Sequence, residues 1–232
     1  RPKSTSAAAC DRSHVSDLLL LLPSQAFFLS ATLASVHATC SNAATLDTSA
    51  SHFAAVSRIA TDDAAYGASD VEVAGDFSVH YDTYFKVVNT YGGTPKTYVL
   101  RLCGGAEPTA FSNGTALPTD ATHFTIPVTG VGLAASVPVT FMEMLGLRDK
   151  IKLVNPEFMH SPCVQHLEES EQIDTQTSTY GSTDWADRAS AHPEVEVVFT
   201  DSSGTGKSNS AKDVVFDASS DPGALARAEW IK

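Results

Sequence analysis

The chain is short of positive charge. Its 232 residues hold 15 Lys and Arg against 27 Asp and Glu, a formal net charge of -12 at pH 7. Neutralising phosphates needs clustered Lys and Arg, and no such cluster occurs, so no nucleic-acid partner is expected. Enzyme motifs are missing as well. There is no Gly-x-Ser-x-Gly and no His-Glu-x-x-His, and the adjacent carboxylates Glu168 and Glu169 fall on what reads as a solvated helix end. The expectation is a non-catalytic protein with no cofactor bound for catalysis.

One phosphate-binding motif is present only in part. In "VEVVFTDSSGTGKSNS", residues 195–210, a strand-like run meets Gly-Lys-Ser, but counting back from Gly206 puts Asp201 where a phosphate loop needs its first glycine. That carboxylate would repel phosphate. The next residues, "NSAKDVVFD", return to a β pattern instead of opening a helix whose N–H groups could hold an anion. The segment reads as the last parallel strand followed by a solvated turn.

What is present begins with an N-terminal apolar run. Arg1, Lys3 and Arg12 precede "LLLLLPSQAFFLSATLASVHA", with Val36 and Ala38 suited to a small-residue cleavage site, so residues 1–38 read as a secretory signal or an uncleaved membrane anchor. Export to the cell surface or the extracellular space follows from either reading. The "NGT" at Asn113 is an N-glycosylation sequon that agrees with export. Of the four cysteines, Cys103 and Cys163 sit at the ends of core elements. A disulfide between them accounts for "HSPCVQH" better than a metal site at His160, Cys163 and His166, because on a helix His166 is rotated away from His160 by about 120 degrees.

A chain that is 43% hydrophobic can bury a proper core. Residues 39–76 read as an N-terminal linker. From Phe77 the runs "FSVHY", "TYFKVVNTY" and "KTYVLRLC" predict an antiparallel entry piece, with "YGGTPK" turning a hairpin. "HFTIPV", "PVTFMEMLGL" and "KIKLV" predict a strand, helix, strand crossover. "SPCVQHLEES" predicts a helix capped by Ser161 with Pro162 in its first turn. "STDWADRASAH", "VEVVFT" and "KDVVFD" continue the alternation, and "DPGALARAEWIK" opens a final helix. The fold class is α/β: one Rossmann-like lobe with a mainly parallel sheet flanked by helices, over residues 77–220. Tyr81, Tyr84, Phe85, Tyr91 and Tyr98 read as core and cross-strand pairs, and Trp185 and Trp230 as packing residues.

The spans "TYVLRLCGG", "HFTIPVTGVGLAASVPVTFMEMLGLRDKIKLV", "SPCVQHL" and "DPGALARAEWIK" resemble the substrate-binding proteins of the class with a helical backbone. More narrowly, they are similar to the cobalamin-acquisition proteins of algae. The resemblance implies a two-lobed clamp, of which this chain supplies the first lobe and, at residues 221–232, the start of the inter-lobe helix, with the second lobe absent. It also implies ligand contacts in loops at the carboxyl ends of the parallel strands. The matching residues are Thr129, Gly130 and Val131, then Phe158 and Met159, then Thr200, Asp201 and Ser202. Tyr180 falls where the bacterial vitamin B12 receptor has a ligand-stacking tryptophan. The implied ligand is cobalamin or a haem-like chelate, passed to a membrane uptake partner. The alternative is a structural or interaction subunit of a membrane-associated assembly built on the same lobe.

Overall fold

The computed structural model describes residues 46–53, 71–176, 184–201 and 211–231. Residues 1–38, Tyr180 and Ser202 lie outside them, as does most of the Gly-Lys-Ser loop. No helix among the described residues is long and apolar enough to cross a membrane.

Alternating apolar and polar residues from Phe77 onward build the first sheet. Strands β1 (Phe77–Tyr81), β2 (Phe85–Thr90) and β3 (Lys96–Leu102) pair antiparallel, with Val79, Val88 and Tyr98 in register on one face and His80, Val87 and Val99 on the other. Gly93, at φ +64°, supplies the left-handed residue of the turn between β2 and β3. Strand β4 (Thr122–Ile126) adds in parallel beside β3. One face of this sheet buries Phe85, Val87 and Val99 against Phe111 and Leu117 of the long β3–β4 connection.

The second sheet is wholly parallel, in the order β7-β6-β5-β8-β9. Its strands are β5 (Val131–Leu133), β6 (Ile151–Val154), β7 (Asp174–Thr175), β8 (Val197–Thr200) and β9 (Asp213–Val215). Helices α1 (Val137–Met144) and α2 (Pro162–Glu169) cover one face, where Leu133, Val139, Met142, Ile151 and Val164 are buried together. Helix α3 (Asp184–Ala191) covers the other face, with Ala189 against Leu153 and Val198. Burying a side chain such as Leu153 completely stabilises the fold by about 1.5–3 kcal/mol. The α/β expectation holds: a mainly parallel sheet flanked by helices, entered through a β-hairpin.

Helix ends follow their residues. Ser161 accepts a hydrogen bond from the Val164 N–H at 3.4 Å, and Pro162 opens α2. Helix α1 stops in a Schellman arrangement, with Gly146 at φ +68° donating to the Glu143 carbonyl and Leu147 to that of Met142.

The crossover differs from the sequence expectation. "HFTIPV" supplies β4 of the first sheet, and the strand that leads into α1 is β5, three residues long. A strand that short carries no readable periodicity.

The two sheets meet through Tyr98 and Phe124, which pack on Val197. The Tyr98 hydroxyl accepts the Val215 N–H at 2.9 Å, tying β3 to β9. Helix α4 (Ala224–Glu229) packs Trp230, just beyond its end, on Phe77 and Phe216. The segment 39–76, expected as a linker, docks where it is described. Leu46 donates to the Gly104 carbonyl, His52 to that of Thr83, and residues 72–75 bind carboxylates of the α4 region.

Candidate functional site

In an open parallel sheet the carboxyl ends of the strands leave backbone and loop groups free to meet a ligand. Here those ends are Leu133, Val154, Thr175, Thr200 and Val215. A cleft of about 560 Å³ opens above three of them, between the start of α1, the β6–α2 loop and the β9–α4 connection. Such a volume is in the range of ordinary small-molecule sites.

Short-range hydrogen bonds shape the cleft wall. Asn155 is fully buried; its Oδ1 accepts the Glu157 N–H at 3.2 Å and its carbonyl accepts that of Phe158 at 3.2 Å, a turn that presents Phe158 to the cleft. Gln165 Nε2 donates to the Met159 carbonyl at 3.0 Å. The Ser161 hydroxyl donates to the Glu143 carboxylate and so ties this loop to α1. Loops held in this way lose little freedom when a ligand arrives.

The cleft lining combines two aromatic rings with a few polar groups. Phe141 and Phe158 give apolar faces, His160 an exposed imidazole, Ser136 and Ser219 hydroxyls, and Arg227 a guanidinium. Arg227 donates Nε to the Asp221 carbonyl at 2.9 Å, and its two Nη groups bond no other described residue. The arrangement can stack a flat ring and meet a negatively charged substituent. The Ser161 hydroxyl is committed to capping α2 and to Glu143, which is a structural use.

The residues expected at the site are divided by the fold. Phe158 lines the cleft, half-buried. Met159, its neighbour, is buried in the core under α1 and α2. Thr200 ends β8, but it is buried and turns its hydroxyl toward the Val214 carbonyl. Asp201 is half-buried directly after β8. Thr129, Gly130 and Val131 stand at the amino end of β5, away from the cleft. Val131 is a buried strand residue, and the N–H groups of Thr129 and Gly130 both point to the Glu196 carboxylate. Only glycine fits at 130, since a Cβ there would lie 1.8 Å from the Glu194 carbonyl oxygen. Their displacement follows from β5: once the crossover strand begins at Val131, residues before it lie at the amino ends of the strands, opposite the cleft.

The aromatic residues of the hairpin do not gather in one pocket. Phe85 and Tyr84 pack in one cluster, Tyr98 in another and Tyr81 in a third. No described cysteine is free, but the described residues show no bond between Cys103 and Cys163, so the expected pairing is not shown. His160 is exposed and precedes α2, as its Ser-Pro start predicts. Asn113 is exposed in a tight turn, its Oδ1 accepting the Thr115 N–H at 2.9 Å. Sequence reasoning missed Ser136, Phe141 and Arg227. Phe141 reads as a core position of an apolar helix, and nothing in "GALARAEW" marks its arginine as a cleft residue.

No family model, no curated protein and no solved structure matches this chain.

Proposed function

We propose that this chain is a ligand-binding lobe of an exported, non-catalytic substrate-binding protein. Its ligand is cobalamin or another tetrapyrrole or metal chelate, which it hands to a membrane uptake partner. The observation that carries this reading is the cleft at the carboxyl ends of the parallel strands, where Phe141 and Phe158 supply aromatic faces and Arg227 offers two Nη groups that bond no other described residue. Haem combines a broad apolar ring with anionic propionates, and the corrin of cobalamin a broad ring with amides. The aromatic faces suit either ring, and Arg227 suits an anionic or amide oxygen, while Glu143 of the lining accepts the Ser161 hydroxyl. Asn113, exposed in its turn, is accessible as the glycan acceptor of an exported chain.

Isothermal titration of the purified protein with cobalamin, haem and a ferric siderophore tests the reading. A saturable heat with one of the three supports it, and none with any of them removes it. Loss of mass on endoglycosidase treatment of protein secreted from a eukaryotic host tests the glycan separately.

A further inference from the structure

A second cavity, of about 580 Å³, lies beside α1 on a different side from the cleft and is walled almost entirely by apolar side chains. Val128 of the β4–β5 connection, Met142 and Leu145 at the α1 end, Phe199 of β8 and Trp230 are among its lining residues. Lys150 is the single charged side chain among its described lining residues. At the mouth, Leu145, Leu147 and Ile231 are 49%, 37% and 40% exposed, and Met144 beside them is 71% exposed. Large apolar side chains gathered around an apolar hollow leave contiguous greasy surface in water, which marks a binding site more often than a bare surface.

Charge decides what fits. The Lys150 side chain can run its methylenes along the apolar wall and hold its ammonium at the mouth. Its carboxylate neighbour among the described residues is Asp149, at 3.1 Å and 58% exposed. The Asp149 carboxylate is open to solvent while the Lys150 side chain is only 25% exposed, so the bond to Asp149 is worth little and can be exchanged for another anion. No acidic side chain is among its described lining residues to repel such an anion. We propose that this cavity binds an amphipathic monocarboxylate, its hydrocarbon tail among Met142, Phe199 and Trp230 and its carboxylate against Lys150. This site stands on its own observations and does not depend on what the cleft binds.

The protein contains two tryptophans, Trp185 and Trp230, so a Trp185→Phe background makes Trp230 the only indole and its emission a reporter from the cavity wall. Three probes with one tail are titrated below their micelle-forming concentrations: dodecanoate, dodecanol and dodecyltrimethylammonium. Dodecanoate is expected to shift Trp230 emission saturably and to bind about tenfold tighter than dodecanol, with the cation weakest. Lys150→Met should bring dodecanoate down to the dodecanol affinity and leave dodecanol unchanged. Lys150→Glu should put the cation first. Both substitutions are at a partly exposed side chain, and an unchanged far-ultraviolet circular dichroism spectrum verifies folding. Equal binding of dodecanoate and dodecanol by the parent protein, or a preference that survives Lys150→Met, overturns the proposal. So does concentration-dependent dimerisation in light scattering with no response to any probe, which would assign the cavity to a second copy of the chain.

Discussion

The indole N–H of Trp230 donates to the Asp221 carboxylate at 2.6 Å, deep in the protein: Asp221 has no exposed surface and Trp230 has 7%. The other carboxylate oxygen accepts the Gly75 N–H at 2.8 Å. One buried charge thus fastens both the segment ahead of β1 and the end of α4. Asp221→Ala leaves the buried Trp230 indole N–H without its acceptor, while the N–H of exposed Gly75 can turn to water, so it should cost ~1–3 kcal/mol, the range for one buried unpaired donor. Asp221→Asn keeps one acceptor and turns an amide NH₂ toward the other donor, so it should also destabilise. Urea unfolding followed by tryptophan emission measures both; an unmoved midpoint would dismiss the role assigned to Asp221.

Asp221 also acts on a neighbour. Burial first, then the charges of Asp221 and Asp217, raise the Asp76 carboxyl above its ordinary value. A raised carboxyl binds its proton more tightly in the folded chain than in the unfolded one, so its ionisation opposes folding. This penalty is absent below the unfolded value of about 3.8 and complete once pH has risen through the higher folded value. Asp76→Asn should therefore raise the urea midpoint at pH 7 and leave it nearly unchanged at pH 3. The Asp76 carbonyl that accepts the Tyr91 N–H is untouched by the exchange. Equal effects at the two pH values would contradict the assignment.

How much of this was readable in advance depended on whether the controlling interaction was local. Ser161, Pro162 and Gly146 fix their helix ends through groups within about five residues, and those ends were legible. The antiparallel hairpin was legible from alternation and "YGGTPK". Strand β5 was not, because three residues cannot show a period, and with it went the positions of Thr129, Gly130 and Val131. The bonds of Asp221 and Glu229 to residues 72–75 span about 150 positions, so no window of sequence contains both partners. The cleft was half legible. The carboxyl-end rule finds Phe158, but Arg227 reaches it from another part of the chain.

Glu229 offers a direct measure of that long-range tie. Its carboxylate accepts three consecutive N–H groups, from Glu72 at 2.6 Å, Val73 at 2.8 Å and Ala74 at 2.7 Å. A carboxylate accepting several backbone N–H groups makes strong charge-assisted bonds. In Glu229→Ala, the amides of residues 72–74 should exchange with deuterium about tenfold faster or more, while those of β2 and β3 stay protected. Mass spectrometry of a peptide covering residues 71–76 reads the change, and parental exchange rates in the variant would speak against the tie.

Cys103 and Cys163 are both oxidised in the structure. Alkylation of the denatured, unreduced protein should label neither, and reduction should lower stability by about 2–4 kcal/mol per bond lost. Non-reducing peptide mapping also reads the partner of each sulfur directly. The described residues show no bond between Cys103 and Cys163, so the map decides whether each takes the other, as the sequence suggests, or another cysteine.

Arg227 gives the sharpest test of the cleft, because its two faces separate binding from folding. Its Nε bond to the Asp221 carbonyl is structural, while its Nη groups bond no other described residue. Arg227→Lys keeps the charge but gives up the planar fork, and Arg227→Met keeps only the stem. If haem enters the cleft with a propionate on the guanidinium, Arg227→Met should weaken it about tenfold, the size of one charge-assisted contact, and Arg227→Lys should recover part of that loss. Phe158→Ala removes ring contact instead, so it should weaken haem and cobalamin alike. A stability loss in Arg227→Met without any change in haem affinity would make the arginine a purely structural brace and take the anionic half of the cleft's chemistry with it.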